Sequence, residues 1–525
     1  MSTIFDSIAV RSLPESVFDL SHEVKLSGNM GELIPIMLEE VIPGDTFQVQ
    51  SEIMIRLAPM LAPVMHRVQV FTHYFYVPNR LVWDNFHDHI TGGEDGTANP
   101  VHPQVVVNAA AVTAGQVARG TLADYLGLPT FESGTTLTEQ YRISALPFRG
   151  YQLIFNEYYR DQDLSQKITI NKGDGDETDL TELLKLRTRH WQRDYFTSAR
   201  PSPQKGPQVT LPNVDVVYKQ PSQFIDNNGT SETIFLADTG GRKYLETQGP
   251  AAIGNGVVDN IESIGAVTIE DQRRANRLQE WLELAQRGGS RINEIIRNFF
   301  GVVPDDLRLT RPQYLGGGMQ NVIMSEVLNT AADQDPSAPG ALAPLGDYGG
   351  HGISVGNQNG FRERFKEHGY VFGIMSVIPK TAYQQGIHKH WTKFDKYEKY
   401  WPQFANIGEQ EITQQELYID AAQNDAARKK TFGYAPRYSE YKYSCDRVAG
   451  DFRKDSGGDN LSYWHMGRYF DSEPQLNQQF VEADPTHRIF AVTDDKIDKL
   501  YVQIYHKFKA KRKMPYHNIP SNMPV

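Results

Sequence analysis

Residues 68–78 admit few folds. Val68, Val70, Thr72, Tyr74 and Tyr76 alternate along one face of an expected strand, while Phe71, Phe75 and Val77 fill the other. Alternation with a period of two marks a strand, but a strand that is apolar on both faces needs cover on both. A second sheet can supply one cover; a long loop, a helix or a neighbouring subunit must supply the other. The most apolar run in the chain, Gly369–Ile378, is also of strand length, well short of the ~20 residues that span a membrane.

The rest of the chain fits this demand. Val41 to Thr46 places a Pro43-Gly44 turn between apolar stretches. Pro147 suits a first helical turn, after which Tyr151, Ile154, Phe155 and Tyr158 follow helical spacing. A second helix is expected over 271–286, with Ala275, Leu278, Leu282 and Ala285 as its stripe and Gly288-Gly289 as its stop, and a third over 291–299. Three long stretches, 91–139, 206–270 and 328–360, are rich in Gly, Pro, Asn or Thr and read as surface excursions. With 525 residues, the chain exceeds the ~250–300 at which one core stops growing. Many short strands and few helices predict a mainly β protein, a β-sandwich or jelly roll with long insertions.

The chemistry is sparse. The net charge is −11, so any nucleic-acid contact must come from a local basic patch. That patch is the run Lys507, Phe508, Lys509, Lys511, Arg512 and Lys513, read as part of a basic C-terminal tail over 503–525. Its cations can displace counterions from phosphate, and Phe508 can stack on unpaired bases. The bland alternative is a solvated charged strand. His87 and His89, and His388 and His390, alternate as two imidazoles on one strand face would, but no third metal ligand is identifiable. The acidic loop 171–179 lacks the glycine and ligand spacing of a calcium hand. Gly316-Gly317-Gly318 lacks the Lys-Ser/Thr of a phosphate loop and reads as a turn. No catalytic signature, metal site or cofactor motif stands out. Cys445 is the sole cysteine, which excludes an intrachain disulfide. Residues 1–12 lack the pattern of a signal peptide, so a cytoplasmic product is expected.

A series of blocks in fixed order carries a resemblance. Phe18-Asp19-Leu20-Ser21 precedes Pro43-Gly44-Asp45-Thr46-Phe47, Arg56-Leu57-Ala58-Pro59 and Thr72-His73-Tyr74-Phe75-Tyr76-Val77-Pro78-Asn79-Arg80. Asn156-Glu157-Tyr158-Tyr159-Arg160-Asp161-Gln162, Pro203-Gln204-Lys205-Gly206, Gln279-Glu280-Trp281-Leu282, Arg311-Pro312-Gln313-Tyr314-Leu315-Gly316-Gly317, Glu367-His368-Gly369-Tyr370 and Phe432-Gly433-Tyr434 follow. Across roughly residues 18–453 this order resembles the major capsid proteins of Microviridae, the gokushovirus-like ones in particular. The resemblance implies one eight-stranded viral jelly-roll domain with long insertions and a few helices. It implies a T = 1 icosahedral shell of sixty copies around circular single-stranded DNA, with no enzymatic activity. It places a threefold protrusion in 206–270 and subunit contacts in 91–139 and 328–360. Partners implied are a small basic DNA-binding protein, a pilot protein and a host receptor or glycan, without membrane insertion, in a virion assembled in the bacterial cytoplasm. The rival reading is a β-sandwich that binds or cleaves carbohydrate, which 26 Tyr would suit; the paired carboxylates that hydrolysis needs do not stand out. If the basic run holds DNA, reversing its charges lowers the DNA content of purified particles while shells still assemble.

Overall fold

The computed structural model describes residues 14–207, 209, 269–289, 291–300, 310–328, 348–454 and 460–517, apart from 133, 178, 493 and 495, together with six short strands between 215 and 264. The described chain is mainly β with few helices, and it divides into two compact units, Ser202–Asn298 and the remainder.

The larger unit is built on ten strands: β1 (Ser16–Asp19), β2 (His22–Gly28), β3 (Ile34–Val41), β4 (Thr46–Leu57), β5 (Val68–Pro78), β6 (Gln313–Asn321), β7 (Ile323–Leu328), β8 (Tyr348–Arg364), β9 (Gly369–Pro379) and β10 (Leu500–Arg512). They form two antiparallel sheets. In the first, β1 and β2 pair with successive stretches of β10, which is followed by β4, β8 and β7; the second runs β6-β5-β9-β3. The expected Pro43-Gly44 turn joins β3 to β4, with Gly44 at φ +98°.

Both covers demanded by β5 are present. Val68, Val70, Tyr74 and Tyr76 pack with Val371 and Met375 of β9 against Phe47, Val49, Ile53, Ile55, Ile504 and Phe508 of the first sheet, in one buried cluster. This makes the unit a β-sandwich. Phe75, Val77 and Phe372 face the other way, under helix α1 (Leu146–Ile154) and under Val105, Val107, Val112 and Leu122. Each large apolar side chain so buried contributes roughly 1.5–3 kcal/mol. The helix lies close because Gly150 has no side chain: a Cβ there would sit 2.8 Å from the Phe372 ring. Pro147 stands in its first turn as expected, and the helix continues into a π turn over Phe155–Tyr159.

Several sequence expectations are corrected. Residues 91–139 are not only a surface excursion, since Val105, Val107, Val112, Val117 and Leu122 are buried in the second cluster. Of 328–360, residues 329–347 lie outside the described residues, and 348–360 form most of β8 rather than a loop. Glycine is poor in strands, but here it permits close approach. A Cβ at Gly350 would meet the Ala62 carbonyl oxygen at 2.3 Å, and one at Gly360 the Val49 carbonyl oxygen at 2.4 Å. For the same reason Gly316-Gly317-Gly318 lies inside β6 and not in a turn: a Cβ on Gly317 would stand 2.1 Å from the Thr72 carbonyl oxygen. Residues 503–512 are not a tail but the greater part of β10, a strand paired on both sides; residues 518–525 lie outside the described residues.

The smaller unit has its own sheets. Ser222–Ile225, Ser231–Thr239, Arg242–Thr247 and Val257–Val258 form one; Asp215–Tyr218 pairs with Ile261–Ile264 in another. The expected second helix is α2 (Ile269–Gly288), ending before Gly289 at φ +89°. Ala285 of its stripe is buried and Leu278 is exposed. The expected third helix is α3 (Ile292–Phe300). No helix among the described residues is long and apolar enough to cross a membrane.

Two polar devices sit inside the larger unit. Arg149 of α1 is fully buried; its Nε donates to Glu177 at 2.5 Å, and its terminal nitrogens donate to the Val82 and Gly173 carbonyls, each at 2.9 Å. Asp174 accepts from Trp83 Nε1 at 2.5 Å and from Asn85 at 2.9 Å. The acidic loop 171–179 is therefore a clamp whose carboxylates are used by protein donors. In the sandwich, His506 donates from Nε2 to the Ile36 carbonyl at 2.9 Å. Its Nδ1 lies 2.7 Å from Ser51 Oγ, which lies 2.5 Å from the Tyr74 hydroxyl.

Arg149→Met strands a buried carboxylate and is expected to lower unfolding free energy by about 3–5 kcal/mol; adding Glu177→Gln should recover part of the loss, both read by chemical denaturation. Burial depresses His66, His73 and His506 to about 4 each. Their contribution to stability is complete above pH 6.5, the ordinary histidine value, and is lost as pH falls from there toward 4. Glu32, raised by burial to about 7, works in the opposite direction, so the informative readout is a difference. His506→Gln should flatten the fall in denaturation midpoint between pH 6.5 and 4 relative to wild type; an unchanged slope would reject this role.

Candidate nucleic-acid and assembly surfaces

The outward face of the first sheet follows from the alternation of β10. Val502, Ile504, His506, Phe508 and Ala510 point into the sandwich, so Tyr501, Tyr505, Lys507, Lys509 and Lys511 are exposed. The Phe508 ring is fully buried and meets Phe47 edge-on at 4.9 Å between centroids. Its expected role in base stacking is corrected: the ring is part of the core. The other residues of the run divide. Lys507 and Lys509 stand exposed opposite Gln50 and Gln48 of β4. Lys511 is ion-paired with Glu15. Arg512 turns to the strand end, with Nε 3.4 Å from Asp45 and a terminal nitrogen donating to the Glu40 carbonyl at 3.1 Å. Lys513 follows the strand and is exposed beside Gly44.

The sequence reading missed the neighbours that the register supplies. Arg362 and Arg364 of β8 are exposed opposite Gln48 and Thr46, which place them on the same face as Lys509 and Lys511. The signal was in the sequence: Arg362 and Arg364 alternate with Phe361 and Phe365 as the lysines do with Phe508 and Ala510. The period-two pattern of a strand, rather than the density of charge, is what links 361–365 with 507–511.

A second surface is aromatic. Phe394 is 90% exposed and Trp391 70%, and Tyr397, Tyr400 and Trp401 are about half exposed. Large apolar groups clustered in this way mark contact surfaces. They are carried on loops held by buried ion pairs. Lys393 meets Glu440, which also accepts from Gln410 at 2.6 Å, and Lys389 lies 3.3 Å from Glu416, which accepts from the Tyr195 hydroxyl at 2.8 Å. Beside Trp391 a cavity of about 370 Å³ is lined by Tyr195, Tyr383, His388, Glu416, Tyr443 and Cys445. Burial pushes the Cys445 thiol up to about 12, which removes its nucleophilic form at neutral pH.

The histidine pairs do not lie on strands. His87 and His89 stand on the helix Phe86–Thr91, where His89 packs on Trp83 at 4.7 Å between centroids. His388 caps the turn Lys389–Trp391, with its ring 4.4 Å from that of His390. Among the described residues, no three His, Cys, Asp or Glu side chains converge on a metal position.

Comparison with known proteins agrees along the whole chain. The family model described as Capsid protein (F protein) matches residues 7–522. The capsid protein VP1 of Bdellovibrio phage phiMH2K is 33% identical, covering 96% of this chain and 95% of its own. The VP1 of Chlamydia phage 1 is 31% identical over 99% and 98%, and that of Spiroplasma virus 4 is 28% identical over 97% and 95%. The carbohydrate-active alternative gives way to this match, since the family is structural and not enzymatic. The chain belongs to the capsid protein (F protein) family, as a major capsid protein of the Microviridae type.

Proposed function

We propose that this chain is the repeating subunit of a T = 1 icosahedral shell of sixty copies enclosing circular single-stranded DNA. The observation that carries the reading is the family match over residues 7–522, together with relatives that are matched over nearly their full length and are named capsid proteins. The strand order supports a viral jelly roll. Counting β1 with β2, since both lie along β10, and β7 as an addition to β8, each sheet has a core of four strands: β2-β10-β4-β8 and β3-β9-β5-β6. The chain crosses from one sheet to the other at every step except β5 to β6, as two interleaved Greek keys require.

The smaller unit, Ser202–Asn298, is the candidate for the threefold protrusion and for contact with a host receptor or glycan, because it forms a compact unit of its own. Subunit contact is assigned chiefly to the exposed aromatic loops at 391–401, since much of 91–139 is consumed by the subunit's own core. Tyrosine and tryptophan are the residues that most often dominate interfaces, and repetition by symmetry lets each contact be modest. Lys507, Lys509, Lys511, Arg512 and Lys513 would provide the DNA-facing charge. An acidic subunit with one basic face is consistent with a small basic DNA-binding protein sharing the interior and with a pilot protein in the virion, assembled in the host cytoplasm.

Negative-stain microscopy of the expressed chain, alone and with its phage, is expected to show closed shells of one size. Trp391→Ala with Phe394→Ala should reduce the assembled fraction at least tenfold while leaving the subunit's circular dichroism unchanged. Discrete monomers under every assembly condition, with no place in a virion, would overturn the reading.

A further inference from the structure

We propose that single-stranded DNA lies on the open face of the first sheet, between two rails of cations, and that Tyr501 and Tyr505 stack its bases. The inference rests on the reading of the chain as a shell around single-stranded DNA, and it specifies the site and its mode of recognition.

One rail is Lys507, Lys509 and Lys511 on β10; the other is Arg362 and Arg364 on β8. Strand β4 lies between them and fills the floor with Thr46, Gln48 and Gln50. Register fixes the rows as Lys511-Thr46-Arg364, Lys509-Gln48-Arg362 and Lys507-Gln50-Gly360. Alternate residues on a strand recur every ~6.6–6.8 Å, and two strand spacings separate the rails by ~9.4–9.8 Å. The first distance is close to the spacing of successive phosphates along an extended single strand. The second leaves a lane one backbone wide. Gly360 keeps the third row low, and a side chain there would strike the Val49 carbonyl.

Acidic groups on this face keep mostly to its edge. Asp19 and Glu23 belong to β1 and β2, opposite Lys509 and Tyr505, Glu15 pairs with Lys511, and Glu52 lies opposite Tyr505 beyond the rails. The lane through Lys507, Lys509, Arg362 and Arg364 keeps its positive charge in a chain of net charge −11, and that contrast favours a polyanion as occupant. Farther along the same face Tyr505 and Tyr501 are 39% and 46% exposed. Exposed rings beside a phosphate-binding lane suit unpaired bases, whose faces are open, and not a duplex. The stacking role expected of Phe508 thus passes to its outward-facing neighbours in the strand.

The test uses the full chain. A fluorescent oligothymidylate and a duplex of equal length are titrated against it across a salt series, and nuclease-protected DNA is measured in assembled particles. Lys507→Gln, Lys509→Gln, Arg362→Gln and Arg364→Gln combined change only exposed side chains. This variant should assemble but carry less DNA, and its salt slope for the oligothymidylate should fall by about 2.8, from ~0.7 per cation removed. Tyr505→Leu should weaken oligothymidylate binding on the order of tenfold and leave duplex binding and the salt slope unchanged. Wild-type slope and DNA content in the fourfold variant would overturn the proposal while leaving the shell reading intact. Loss of shells with unchanged oligothymidylate binding would also overturn it, and would assign the face to a neighbouring copy. Absence of shells from the wild-type chain counts against the shell reading alone, because the oligothymidylate arm is read on the free subunit.

Discussion

Strands β5 and β9 have no solvent face, and the architecture follows from that constraint. Side chains on one side of Val68–Pro78 and Gly369–Pro379 enter the sandwich; those on the other must be covered by chain that belongs to neither sheet of the sandwich. Helix α1 and the stretch around Val105–Leu122 supply that cover. Buried backbone carbonyls need donors, and Arg149 of α1 ties the cover to its surroundings by donating to those of Val82 and Gly173. The clamp at Glu177 and Asp174 thus serves the cover, and the cover serves the two central strands.

The two sheets divide the labour. The two central strands of the second sheet, β5 and β9, are buried on both faces, while its edge strand β6 exposes Tyr314 and Met319. The first sheet is buried on one face only, and its outward side is open to carry charge. That division explains how an acidic protein can hold a basic surface: the cations alternate with core residues and are anchored by them. Phe361, Phe365, Phe508 and Ala510 fix the positions of Arg362, Arg364, Lys507, Lys509 and Lys511 through the pleat. Aromatic contact groups are carried elsewhere, on loops held by the Lys393–Glu440 and Lys389–Glu416 pairs.

Much of the fold was legible because period-two and period-3.6 patterns are local. The strand at 68–78, the turn at 43–44, the helices after Pro147 and near 271–286 and the two-sided cover could all be read from neighbouring residues. What failed was non-local. Glycines at 350, 352, 356 and 360 spell a loop until the atoms that crowd them are known, and those belong to Ala62, Leu57, Gln320 and Val49. The basic run reads as a tail until its pairing with β2 and β4 is seen. Arg362 and Arg364 join Lys507 and Lys509 only across a strand more than 300 residues away in sequence from either. The family resemblance was legible because ordered motif blocks survive even where their contacts cannot be inferred.

Strand β10 lies in the middle of its sheet, with β2 and β4 on its two sides, and His506 reaches the Ile36 carbonyl across 470 residues of sequence. Pairing over such separations is slow, because the loop must close before any contact rewards it. It also sets an order of events at the ribosome. Until residue 512 has emerged, β2 and β4 have a gap between them and the sandwich core lacks Val502, Ile504, Phe508 and Ala510. This late strand, the last among the described residues, is therefore also the one that brings the basic face into existence. A nascent chain has neither a finished core nor this basic face, and both come into being only on subunits whose synthesis has passed β10.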